Sequence, residues 1–177
     1  MDLIQKGQEV NVATLKQLIA TMKWTSAVDF DLAAAYEAKS GDRGMVYFGA
    51  KGDLNAMPFM SLDQDAGVGD TGGDNEENLR ITSLSDMKKV HLICWDYKAV
   101  QKGTPARFAG SDLTITLTND KGEAHVVTCD AGDVGNVVVI ATIDNTSPIG
   151  AKLINTSKAG TLKGLKNSEQ FFTLAEG

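Results

Sequence analysis

Residues 112–129 read DLTITLTNDKGEAHVVTC. Leu113, Ile115 and Leu117 alternate with threonines, the period-two pattern of a strand with one face in a core. Asn119-Asp120-Lys121-Gly122 is a turn signal, and Ala124–Cys129 (AHVVTC) resumes the strand, so the stretch predicts an antiparallel hairpin. Other runs of this kind lie on either side. Val90–Trp95 (VHLICW) is almost continuously apolar, as expected of a strand covered on both faces. Asn136–Ile143 (NVVVIATI) reads as a second buried strand, and Ala151–Asn155 (AKLIN) follows a turn at Ser147-Pro148. Met45–Phe48 (MVYF) is a short strand between glycines. Recurrent strands with turn signals between them predict an all-β chain, arranged as an antiparallel β-sandwich with loops clustered at one end.

Two segments oppose this pattern. Leu15, Leu18, Ile19 and Met22 fall at helical spacing, and Asp31–Ala38 (DLAAAYEA) is rich in helix formers. Propensity alone predicts helices in both. The 177 residues form one domain by length, 1–177, with no repeat and no long linker. The tail from residue 160 to 177 reads as a loop followed by a short docked element at Phe171-Phe172.

Charge is distributed unevenly. The chain has 23 acids and 17 bases, a net of −6. Between Lys51 and Arg80 there is no base, but there are seven acids: Asp53, Asp63, Asp65, Asp70, Asp74, Glu76 and Glu77. That window carries −7, so the rest of the chain sums to +1 (−6 minus −7). Gly67, Gly69, Gly72 and Gly73 interleave with the later acids. Like charges at this density stay solvated or take up a cation. A hard cation such as Ca²⁺ is coordinated by carboxylates and carbonyls on a turning backbone, and the window suits one. The acidic balance argues against nucleic acid or an anionic membrane as partner.

The opening MDLIQKGQEV lacks the charged start and apolar run of a signal peptide, and no segment approaches a membrane span. A cytoplasmic location is expected. Cys94 and Cys129 lie in apolar runs and read as reduced, buried thiols rather than a disulfide framework.

Candidate metal ligands follow from spacing. In extended backbone Asp29 and Asp31 project from one face while Phe30 and Leu32 anchor the other. Asp63 and Asp65 repeat that two-residue spacing. Asp74 and Glu77 close the acidic window where it runs into Leu79-Arg80-Ile81, with Glu76 replacing Glu77 if the register shifts by one. Asp53, next to Gly52, reads as a turn residue, and Asp96 ends an apolar strand. An EF-hand does not fit. The fifth, sixth and twelfth positions counted from Asp63 are Gly67, Val68 and Asp74, and flanking helices are absent from the pattern.

These elements, in this order, resemble the TerD-domain family of tellurium-resistance and general stress proteins. The resemblance rests on the Lys6–Val12 stretch KGQEVNV, on Asp29-Phe30-Asp31-Leu32, and on the acidic glycine-rich window that leads into a strand. Residues 31–37 (DLAAAYE), 58–65 (PFMSLDQD) and 77–81 (ENLRI) are most similar to the TerA type, and the likeness extends to about Thr156. It implies a cytoplasmic, non-catalytic β-sandwich that binds Ca²⁺ through loops at one end. It also implies strands in both helix-like segments, and protein partners in a stress-resistance assembly. Ala33 stands where many members have a further acid, so the number of ions is left open. The alternative is a protein-interaction module that uses the acidic window directly, without metal.

Enzyme signatures are weak. The chain has no G-x-S-x-G, Walker loop or H-E-x-x-H, and Asp70-Thr71-Gly72 has no second copy with which to form an aspartic-protease pair. His91 and His125 are far apart, with no cysteine at zinc spacing, and Trp24 and Trp95 read as core or rim aromatics.

Overall fold

The computed structural model describes residues 1–12, 17–25, 30–63, 75–107, 112–131 and 134–177. In chain order the elements are β1 (Asp2–Leu3), β2 (Glu9–Val12), β3 (Leu18–Trp24), β4 (Phe30–Ala38) and β5 (Arg43–Val46). Next come β6 (Gly52–Asp53), β7 (Met60–Leu62), β8 (Asn75–Ile81), β9 (Met87–Asp96), α1 (Tyr97–Lys102) and β10 (Ala106–Arg107). The chain finishes with β11 (Thr114–Asn119), β12 (Ala124–Thr128), β13 (Val134–Gly135), β14 (Val137–Asp144), β15 (Ala151–Gly160) and α2 (Glu169–Glu176).

The hairpin read from the sequence forms with Thr118 opposite Ala124 and Thr114 opposite Thr128. Gly122 takes a positive φ of 79° in the turn, and the Asn119 side-chain oxygen accepts from the Lys121 and Glu123 amides. A seven-stranded sheet grows from the hairpin in the order β1-β12-β11-β3-β8-β7-β6. A six-stranded sheet, β2-β15-β14-β9-β4-β5, faces it, and β10 pairs with β13 separately. Neighbours in both large sheets run antiparallel except β1 and β12, which are parallel. The architecture is thus an all-β sandwich with two short helices.

Both helix-like segments are strands. In β3, Leu18, Ala20, Met22 and Trp24 are buried in alternation, and the strand is paired on both edges, by β11 and β8. Ladder bonds on two sides and a period-two core outweigh a helical stripe that includes Ile19 on the outer face. Leu15 lies outside the described residues. In β4 the run Ala33-Ala34-Ala35 is fully buried because both faces are covered. Phe30, Leu32 and Ala34 enter the core between the sheets, whereas Ala33 and Ala35 enter a second core beneath α2.

That second core explains why β9 and β14 are apolar throughout. Ile93, Trp95, Val137 and Val139 meet Phe171, Phe172 and Ala175 of α2 on the outer side of the six-stranded sheet. Charge holds the helix in register. Arg43 pairs with Glu169 at 2.8 Å and lies 4.2 Å over the Phe172 ring, and Lys89 pairs with Glu176 at 2.9 Å. Lys158 donates to the Ala175 carbonyl near the helix C-terminus, where a cation is favoured. The docked element expected in the tail is this helix. Asn136, fully buried, donates to the Thr104 and Leu162 carbonyls and accepts from the Leu162 amide, which fastens the connection leading to α2.

Candidate functional site

The acidic segments attach at one end of the sandwich. Trp24 is the register partner of Asn75, and the Trp24 and Phe30 rings are 5.8 Å apart. Phe30 follows Asp29 in the chain and Asn75 follows Asp74, so the residues adjoining those two acids meet around one indole. Asp29, Asp65 and Asp74, with Asp70, lie outside the described residues. Asp31, Asp63 and Glu77 are described, and each has a distinct setting.

Asp31 is half-buried opposite Trp95 in the register between β4 and β9. Because Phe30 and Leu32 are core residues, strand alternation puts Asp31 on the outer face of the six-stranded sheet with Ala33. This is the face expected from the sequence. Asp63 follows β7, and its amide donates to the Asn78 carbonyl at 2.9 Å. Its carboxylate accepts from Arg80 at 3.0 Å, on the solvent side of β8. The base that ends the acidic window therefore folds back onto one of its acids.

Glu77 lies within β8. In β8 the inward positions are Asn75, Glu77, Leu79 and Ile81, so Glu77 faces the opposing sheet. Its Oε2 accepts the Leu32 amide at 2.5 Å, across the gap between the sheets. Glu76 is exposed on the other face. The position of Glu77 was legible, since it shares parity with the apolar Leu79 and Ile81. Its partner was not, being 45 residues away.

Cys94 is the register partner of Leu32 in β9. It is fully buried between the sheets, with Cys129 packed against the same cluster. Burial, and then the neighbouring Cys129, Glu77, Asp31 and Asp96, push the Cys94 thiol well above its ordinary value. Both cysteines are free thiols, and the Cys129 thiol is also raised, mainly by burial. Asp96 caps α1 by accepting from the Ala99 amide at 3.1 Å.

A recess of about 400 Å³ opens at the same end, lined by Lys23, Trp24, Thr25, Asn75, Glu76 and Asp112, among others. Asp112 accepts from the Thr25 hydroxyl at 2.7 Å, which holds its carboxyl below the ordinary range. Among the described residues, no three His, Cys, Asp or Glu side chains gather as a metal group. Nor is any described helix long and apolar enough to cross a membrane.

The histidines are structural in setting. His91 is buried, shares a 2.8 Å hydrogen bond with Thr142, and has Nε2 3.6 Å from Glu176. Burial lowers its pKa below 6.5 despite the nearby Glu176. His125 is half-buried in β12, and its pKa is also lowered, mainly by burial. Trp24 and Trp95 are both core residues.

The class these features define is a two-sheet, antiparallel β-sandwich. Its overall shape is shared with solved structures. A homologue of the telluride resistance protein TerD from Streptomyces coelicolor A3(2) superposes with a TM-score of 0.55 at 15% identity, covering 89% of this chain and 95% of that one. A protein of unknown function matches with a TM-score of 0.55 at 13% identity, covering 89% and 94%. The chain has a TerD-like fold. These neighbours do not separate the TerA type from other TerD-like proteins. No family model matches the chain, and no curated protein matches it.

Proposed function

We propose that this is a non-catalytic, calcium-binding protein of the TerD/TerA kind, acting in the cytoplasm as a scaffold within a stress-resistance assembly. The observation that carries the reading is the meeting of Phe30, Trp24 and Asn75. Within a TerD-like fold, it brings together Phe30 and Asn75, the described residues that adjoin the two acidic segments; the proposed carboxylates are Asp29, Asp31 and Asp74, with Glu77 ordering the backbone next to Asp31. Asp63 and Asp65 supply the remaining carboxylates of the proposed set. A divalent cation there offsets the mutual repulsion of a window carrying −7 and stabilises the native state by mass action.

Calorimetric titration of chelator-stripped protein with Ca²⁺, with Mg²⁺ as control, tests this. Selective micromolar binding and a raised melting temperature are expected, and both should vanish in the Asp63→Asn/Asp65→Asn double variant. Absence of heat and of any melting shift refutes the calcium reading.

A second reading has its own support. Asp63 is paired with Arg80, and Glu77 accepts an amide, so two of the described acids are satisfied without a metal. The acidic end then serves directly as an interaction surface, and capture of protein partners is insensitive to chelator.

A further inference from the structure

β4 has two unequal edges. On one, β9 pairs with it from Phe30 to Ala38. On the other, β5 pairs only with Ala34 to Glu37. The Ala38 amide points to the β5 side, where it donates to the Asp42 carbonyl. The Leu32 amide lies just beyond the Ala34–Val46 pair that ends β5, and its acceptor is Glu77 rather than a strand carbonyl. Among the described residues that amide has no ladder partner, and Leu32 itself is fully buried. An unmet donor there is costly. Glu77 meets it from the facing sheet.

We propose that Glu77 is a positioning residue: its carboxylate takes the place of the missing strand at the open edge of β4 and ties the two sheets together at the acidic end. The tie holds the backbone on which Asp31 sits, one residue before Leu32. The inward parity of Glu77, among Asn75, Leu79 and Ile81, fits this role. Insofar as Asp31 serves a cation, the inference rests on the calcium reading; the tie itself does not.

Amide hydrogen exchange at Leu32, read residue by residue by NMR on the full chain, is the test. In the wild type the Leu32 amide is protected. Glu77→Gln keeps an acceptor of the same length and retains the protection. Glu77→Ala speeds exchange at Leu32 about tenfold or more, the scale of one lost hydrogen bond. Glu77→Asp keeps the charge but is too short to span the gap, so it behaves like Glu77→Ala and stands in if that variant does not fold. Unchanged exchange at Leu32 in both shortened variants overturns the tie.

Calcium titration of the same variants separates positioning from ligation. Weakened binding in Glu77→Asp, with recovery in Glu77→Gln, supports positioning. Loss in Glu77→Gln alone makes the carboxylate a direct ligand and overturns the assignment. A wild type that binds no Ca²⁺ defeats the calcium reading, while exchange at Leu32 still decides the tie.

Discussion

Truncating Phe171 to alanine tests whether the second core is integral to the fold. The ring is fully buried against Trp95, with centroids 5.6 Å apart, under a helix only eight residues long. A helix of that length is not stable alone, so its structure depends on docking. Removing a buried phenylalanine costs about 3–5 kcal/mol, including the cavity left behind. That is a large share of the roughly 5–15 kcal/mol that holds a domain together. For a chain of this size each kcal/mol moves Tm by about 2–4 °C, so a fall of about 6–20 °C is expected. The assay is denaturant unfolding followed by tryptophan fluorescence. Trp24 reports on the core between the sheets and Trp95 on the core beneath α2, so Trp24→Phe and Trp95→Phe backgrounds isolate the two probes. Phe171→Ala should shift Trp95 emission in the native state and lower the midpoint seen by both probes. Phe48→Ala, removing a ring that is 39% exposed, should cost distinctly less. A loss below about 1 kcal/mol for Phe171→Ala, with Trp95 emission unchanged, refutes the docking of α2, since surface changes fall within about 0.5 kcal/mol.

Three further outcomes concern polar groups at and around α2. His91 has a folded pKa below its ordinary 6.5, chiefly through burial, so the unfolded chain binds more protons as pH falls through 6.5. Stability is then greatest above pH 6.5 and declines toward the folded value, a slope that His91→Gln should remove; equal slopes in both proteins rule out His91 as the cause. The Glu176 carboxyl is held low by Lys89 against the opposing effect of burial, so its contribution is lost only at more acidic pH, below 4.5. Asn136→Ala strands two carbonyls and an amide around the connection to α2 and should cost about 2–4 kcal/mol, read by chemical denaturation. A neutral result would mean that water replaces the amide without penalty.

Elements whose information is local can be read along the chain. The 112–129 hairpin, the two-sided apolar runs at Val90–Trp95 and Asn136–Ile143, and the docked tail were readable because alternation and turn chemistry act over a few residues. The same holds for Asp31, whose face follows from Phe30 and Leu32 in the core. Other features depend on contacts between residues distant in the chain. Asp31–Ala38 has the composition of a helix, but as β4 it lies between the facing sheet and α2, and alanines suit a strand packed closely on both sides. The role of Glu77 depends on where β5 stops and on which amide that leaves unpaired, a relation between two sheets that no spacing along the chain encodes. Asp63 likewise meets Arg80 only because β7 lies beside β8. Periodicity records which side of a strand is buried; the partner waiting there is set by the packing of strands distant in sequence.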